Sequence, residues 1–428
     1  MHHHETEKNI VRFSHEKTLD KSLKNDADYA VQISRRFLSL LGIWNWDKSG
    51  NFSWRFVFSN ISVIICYYAI GIRTIPTFFY IALDAKGSAQ ICILIARIIF
   101  GIVAGTKYVY LHSRRRDIEK CISHIEIDWL GNGSSTKREI MLAYARYGHL
   151  VTNICAGIAF SAAAFYAILP HVIKKNASPV INENGTHQVV TARAFAVASH
   201  FGTSRASQTP VFEIIYTSQV VATFLMHSIA VSCYSLAVAI VMHACGQLQI
   251  LMIKLGELVQ VDDEGKEYDN FDNRLSDVVD HHVRVLRFIS SAEKLLREIC
   301  LVDLGGGTIC MCIVGYYNLL EWNRETKNII GIVALFLSFI TFMFNIYSFC
   351  YIGELLTQEC TKVGEVTYMI DWHRLRGKQS LAVCLIIIMS HKPLTLTAGG
   401  TIKLSLTCFA SVVKSFMGYL NMLRTVMD

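Results

Sequence analysis

Charge is scarce in this chain. Asp, Glu, Lys and Arg together make 18% of its 428 residues, low for a soluble globular protein. Proline is scarcer still, with five in all: Pro76, Pro170, Pro179, Pro210 and Pro393. No CxxC pair occurs among the thirteen cysteines, and the long polar segment 169–212 contains no cysteine. Most of them sit in or beside apolar runs, where a free thiol packs as a small apolar group, so no disulfide framework is expected. The polar, mixed-charge opening 50 residues contain no signal peptide, and the first apolar run is expected to act as the targeting signal. Only two residues follow the last apolar run, which leaves no room for a signalling tail.

What the chain has is apolar length. Hydrophobic residues make 52% of it and mean hydropathy is +0.35. Apolar runs of about 20 residues, the length that crosses a hydrocarbon core, fall at 56–72, 91–111, 150–169, 214–241, 300–320, 329–352 and 401–426. The pattern predicts an all-α membrane protein with seven transmembrane helices. An odd number of spans puts the termini on opposite sides. The net charge of +7 is modest and gives no reason to expect a nucleic-acid partner.

Lys and Arg number 26 in the segments 1–54, 112–141, 246–300 and 354–400, against 8 in 79–90, 169–212 and 321–328 together with Arg424 near the end of the last span. Basic residues stay on the cytoplasmic side, so the N-terminus is expected inside and the C-terminus outside. That orientation makes Asn176 (NAS) and Asn184 (NGT) the usable glycosylation sequons, in an extracellular loop over 169–212. Asn51 and Asn132 match the pattern on the opposite side, and Asn60 lies within the first span.

Weaker signals have plainer readings. Asp303–Thr308 (DLGGGT) resembles the phosphate-binding turn of the sugar kinase and heat-shock ATPase superfamily. Here it runs directly into an apolar span, where small residues serve close helix packing. His281 and His282 are adjacent on an expected amphipathic helix and do not face the same way. The triple His2–His4 has little around it to hold a metal ion, and no cofactor is expected. The cytoplasmic segments 246–300 and 354–400 carry apolar residues at helical spacing, so those faces must be buried on one another or on another subunit.

A G-protein-coupled receptor, the rival from another class, would carry a DRY-like motif after span three and NPxxY at the end of span seven. Neither is present. No intramembrane carboxylate pair, helical His cluster or repeated half points to an enzyme or a transporter.

Cys350-Tyr351-Ile352-Gly353-Glu354 with Trp372, and the run from His391 to Arg424 (HKPLTLTAGGTIKLSLTCFASVVKSFMGYLNMLR), resemble the end of the sixth span and the last helix of insect odorant receptors. Weaker likenesses run through KYVYLHSRRRDIEKCISHIEIDW after span two, TPVFEIIYTSQ before span four, and His282 with Phe288. The resemblance implies seven spans with a cytoplasmic N-terminus. It also implies an odorant-gated cation channel in a heterotetramer with the odorant co-receptor (Orco), in the plasma membrane of olfactory neurons. A cytoplasmic helical anchor would cover 354–400, following the spans and loops of 55–353, and the span 401–428 would line the pore. The short polar stretch before His281 lacks the co-receptor's long insert, so a tuning subunit is expected. A gustatory-type channel subunit is the alternative, although Tyr419 lacks the Gln that the taste-receptor pattern places after it.

With Tyr419 as register marker, the resemblance places Met422 and Val426 at the apolar constriction of the pore, with Thr425 close to its axis. Lys414, mid-helix, is expected near an acidic partner. The odorant pocket implied among spans two, three, four and six would be lined by aromatic and aliphatic side chains. In the outer halves of those spans these are Ile91, Ile95, Phe160, Phe165, Tyr216, Val220, Phe336 and Phe339.

Overall fold

Long unbroken apolar runs with few prolines leave the backbone one way to satisfy its polar groups, the helix. A computed structural model of the chain describes residues 22–44, 54–85, 87–131, 134–172, 179–181, 187–189, 199, 209–258, 271–322, 329–370, 372, 375 and 377–427. Residues 22–40 form α1. There follow α2 (Trp54–Leu83), α3 (Ser88–Ser113), α4 (Arg115–Leu130), α5 (Ser135–Val172), a short pair β1 (Pro179–Ile181) and β2 (His187–Val189), and α6 (Val211–Glu257). The chain continues through α7 (Phe271–Trp322), α8 (Ile329–Met369), α9 (Lys378–Ser390), β3 (Thr397–Ala398), β4 (Ile402–Lys403) and α10 (Leu406–Met427). Asn176 and Asn184 lie outside the described residues.

Among the described residues, six helices, α2, α3, α5, α6, α7 and α8, are long and apolar enough to cross a membrane. Three of them are far longer than a crossing needs. At 1.5 Å per residue, α6 with 47 residues, α7 with 52 and α8 with 41 run about 60–80 Å. The hydrocarbon core is about 30 Å thick, so they extend well beyond it. Their extensions come together at one end of the bundle with α1, α4 and α9. One contiguous apolar cluster fills that end, including Leu38, Trp129, Leu251, Leu296, Leu356 and Val383, each at most 1% exposed. We call this end the body. At the opposite end a small second cluster forms around Leu94, Val314 and Leu335.

Charged groups tie the body's outer helices together. Arg35 on α1 pairs with Asp28 at 2.5 Å and with Glu126 of α4, and Arg138 of α5 reaches Asp26 at 2.5 Å. Buried Asp128 of α4 takes His243 Nε2 of α6 on its Oδ2 at 3.0 Å, with His124 Nδ1 at 3.2 Å. His281 and His282 are both buried, on the amphipathic stretch of α7, and His281 Nε2 meets Gln247 Oε1 at 2.9 Å.

The last span begins later than its apolar run. Residues 401–403 belong to a turn and to β4, which pairs antiparallel with β3 in the register Thr397↔Lys403. Gly399 and Gly400 have φ of 63° and 76°, the left-handed region that glycine enters without a Cβ penalty. They turn the chain sharply, and Ser405 Oγ then accepts the Cys408 N–H at 3.1 Å to start α10. The 22 residues of α10 still span about 33 Å. The first span, by contrast, runs past residue 72 and through Pro76 to Leu83, which places Arg73 inside it.

Candidate functional site

Where α2, α3, α5, α6, α7 and α8 diverge from the body they enclose a cavity of about 120 Å³. An aliphatic cavity of about 150 Å³ holds a benzene-sized molecule. Small residues make room for it. Gly306 on α7 lies so close to α3 that a Cβ there would meet Val103 at 2.2 Å, and one on Gly307 would touch Ile346 of α8. The stretch DLGGGT is continuous helix, and its glycines serve interhelical approach. Phe100, Phe342, Ile158 and Ala162 supply apolar wall, with the rings of Phe100 and Phe342 edge to face at 6.0 Å.

The polar groups fall into two sets. Towards the body, the buried side chains of Lys107 and Asp303 form an ion pair, and Asn345 Nδ2 donates to Asp303 Oδ1 at 3.1 Å. Opposite charges in contact offset the large cost of removing either from water. Towards the other end, Arg73 donates from Nη1 to Thr223 Oγ1, while its buried Nε has no hydrogen-bond partner. The Arg97 guanidinium lies 5.7 Å from the centre of the Tyr166 ring, within cation–π range. His227 Nδ1 meets the Thr223 carbonyl at 2.8 Å.

The eight pocket residues expected from sequence stand beside this cavity; its lining is made by others. Ile95 and Phe336 are exposed at 40% and 57% and face outward. Phe160 stacks between Phe37 and Phe224. Phe339 packs on Phe416 at 5.2 Å, and Tyr216 donates to the Ala167 carbonyl. Ile91, Phe165 and Val220 are partly buried. The pocket was expected among spans two, three, four and six; this cavity is also lined from α2 and α7, and on the shared helices by positions such as Ile93, Ala96, Tyr166 and Phe342. Apolar character alone cannot fix which side of a helix faces inward. The residues that sequence reasoning passed over, Arg73, Arg97, Lys107 and Asp303, carried a usable signal, since charge within an apolar span faces protein or water.

On α10, Tyr419 and Met422 are exposed at 59% and 63%, and Thr425 is exposed with its hydroxyl on the Asn421 carbonyl at 3.0 Å. Val426 belongs to the helix, but its side chain lies outside the described residues. Lys414 is exposed and forms no ion pair among the described residues. Tyr419 and Met422, three residues apart, thus share a face of α10 that the single chain leaves uncovered.

Among the described residues, one group brings three possible metal-ligand atoms within 4.8 Å of one another: His124, Asp128 and His243. The group lies in the body between α4 and α6, away from the cavity. Burial alone would raise the Asp128 carboxyl. The imidazoles of His124 and His243 against it more than offset that and hold it well below the ordinary carboxylate range.

Comparison with known proteins adds to this geometry. Odorant receptor 10 of Aedes albopictus is 26% identical over 223 residues, covering 51% of this chain and 57% of that protein. Odorant receptor 13a of Drosophila melanogaster is 22% identical over 200 residues, covering 43% and 46%. The chain thus matches about half the length of these curated relatives. Among solved structures, the olfactory receptor OR5 from Machilis hrabei in complex with eugenol superposes with a TM-score of 0.72 at 14% identity, over 93% of this chain and 100% of that one. The shared fold is all-α with seven spans, α10 supplying the seventh. The family profile of the 7tm odorant receptors matches residues 90–417, and the chain belongs to that family.

Proposed function

We propose that this chain is the odorant-binding tuning subunit of a heteromeric odorant-gated, non-selective cation channel. Its partner would be the odorant co-receptor (Orco), and its place the plasma membrane of olfactory neuron dendrites. The observation that carries the reading is the cavity among six spans, apolar over most of its wall and with a few fixed polar groups. That is the form of a site for a small organic molecule. Family membership supports it, and the relatives' names supply the ligand class.

The channel half of the reading rests on α10. Its exposed Tyr419 and Met422 share a face that one chain leaves uncovered. Rings of apolar side chains close a pore by excluding water, and a tetramer would bring four such helices around one axis. The apolar face of α9 (Leu381, Leu385, Ile388 and Met389, all more than half exposed) supports assembly through the body. On this reading the basic-residue bias sets the body in the cytoplasm and the α2–α3 turn outside. Asn176 and Asn184 then become the glycosylation positions.

Co-expression of this chain with the co-receptor, with currents recorded against a broad odorant panel, tests the reading. Odorant-evoked cation current is expected that neither subunit gives alone with the same ligand profile. Robust odorant current from this chain by itself would remove the tuning-subunit assignment. Absence of any evoked current, with both subunits at the surface, would remove the function.

A further inference from the structure

The charges lining the cavity do not balance. Lys107 and Asp303 neutralise each other at the body end, which leaves Arg73 and Arg97 at the other. Arg73 is 8% exposed. Its partner Thr223 is neutral, and its buried Nε is unpaired. Arg97 has only the face of Tyr166. Neither pairs with a carboxylate among the described residues, and both line the same cavity. Arginine does not escape burial by losing its proton. Two uncompensated cations in a mostly apolar cavity are costly, and a site arranged in this way strongly favours an anion.

We propose that the cavity is built for an acidic odorant, a small carboxylic acid bound as its carboxylate between Arg73 and Arg97, with its hydrocarbon part against Phe100 and Phe342. The assignment rests on the odorant-binding reading above and narrows it to a ligand class. A guanidinium offers paired N–H donors that match a carboxylate's two oxygens, and the unpaired Nε of Arg73 supplies such a donor. The cavity volume of about 120 Å³ suits a single ring or a short chain, so benzoate and hexanoate are the natural probes. A bare inorganic anion would satisfy the charge but leave the apolar wall without a role.

The test compares benzoate with benzaldehyde, and hexanoate with hexanal, on cells expressing this chain with the co-receptor at neutral pH. Each acid is expected to act at lower concentration than its neutral analogue. Arg97→Gln should weaken the acids by about tenfold or more, the usual scale for losing a hydrogen bond to a charged group, while the neutral analogues change little. Arg97→Lys should restore part of the response. Arg97 is chosen because it is only partly buried and tolerates replacement better than Arg73. Thermal stabilisation of the purified full-length chain by benzoate, in chloride and in gluconate buffers, gives a readout free of gating.

If neutral analogues match the acids, or Arg97→Gln moves both alike, the acidic ligand class is wrong while the odorant function stands. If chloride alone stabilises the chain and benzoate adds nothing, the guanidiniums hold an inorganic anion and the proposal fails. Failure of benzoate to stabilise the chain in either buffer, together with no acid-evoked current, also overturns it.

Discussion

The two ends of this molecule are built on opposite packing rules. In the body, α6 is buried almost all round: from Ile240 to Leu248 every residue is buried, and a single apolar cluster joins α1, α4, α7, α8 and α9 around it. At the other end the same long helices splay, a small cluster of five buried residues remains, and charges line an open volume. One end stores stability; the other keeps room for a ligand. On the function proposed above, a subunit that responds to a small molecule needs the contrast, since low-stability regions are the ones that move. The β3–β4 hairpin stands at the junction. Gly399 N–H donates to the Arg297 carbonyl at 2.9 Å, Thr397 donates to Glu293 at 2.5 Å, and the Leu406 N–H points to Glu354 at 3.3 Å. Through these contacts α7 and α8, which wall the cavity, also hold the base of α10.

The contrast breaks most directly if equal cuts at the two ends have equal effects. Trp129→Ala removes a ring 1% exposed in the body and should destabilise by about 3–5 kcal/mol, the range for large-to-alanine core substitutions. Phe342→Ala removes a ring that borders the cavity and should cost clearly less, while changing odorant selectivity. Thermal unfolding of the purified chain measures the first effect, and dose–response curves of the channel measure the second. Equal losses of stability would mean that the cavity end is packed as tightly as the body.

A narrower comparison sets neighbours in DLGGGT against each other. Gly306→Ala would drive a Cβ to 2.2 Å from Val103, whereas Gly305→Ala meets nothing within 4 Å. Overpacking costs about 1–3 kcal/mol. Relief of a mid-helix glycine favours the helix by about 0.5–1 kcal/mol. Gly306→Ala should therefore lower the melting temperature and reshape the cavity, and Gly305→Ala should leave it level or slightly higher. Matching outcomes would show that α3 and α7 do not approach here as described.

How much of this was legible beforehand follows from what periodicity encodes. Span number and helical class came from run length, which is a property of one segment at a time. Burial of segments such as 281–296 follows from apolar faces at helical spacing, which must be covered. The cavity lining was not legible, because it depends on helix rotation within an apolar environment, where Ile91 and Ile93 look alike. The late start of α10 at Leu406 was also hidden. Residues 401–405 are as compatible with a helix as those after them, and only the positive-φ glycines before them, Gly399 and Gly400, make the hairpin. The charges in the spans were the overlooked clue, Arg73 most of all, since it had been placed just outside span one.

Acid should affect the body through Asp128. Its carboxyl is depressed in the folded chain, so it contributes stability above its unfolded value of about 3.9, and that contribution is lost as pH falls towards the folded value. Asp128→Asn should lower the melting temperature at neutral pH, where the ionised carboxylate faces His243, and should flatten its decline on the acid side. Melting temperatures between neutral pH and about 3 check this. Parallel acid limbs for the two proteins would mean that Asp128 is not the group responsible.

The smallest expected effect lies on α10, where the contrast extends to a surface that one chain leaves bare. If Met422 contributes to an apolar constriction with Val426, Met422→Ser makes that ring easier to hydrate and should raise basal current in the co-expressed channel. The effect should be partial, because side chains from the co-receptor would still occupy the rest of the ring. Odorant selectivity should not move, since the cavity lies among α2, α3, α5, α6, α7 and α8. Tyr419 and Met422 are three residues apart and share a face, so Tyr419→Ser should act in the same direction. Unchanged basal current and permeability in both variants, at normal surface expression, would place the constriction on another face of α10. The face holding Phe416, which is buried against Phe339 and Gly315, is already occupied by the bundle. The remaining candidate would then be Met417, which is also exposed and, two residues from Tyr419, points to another side of the helix.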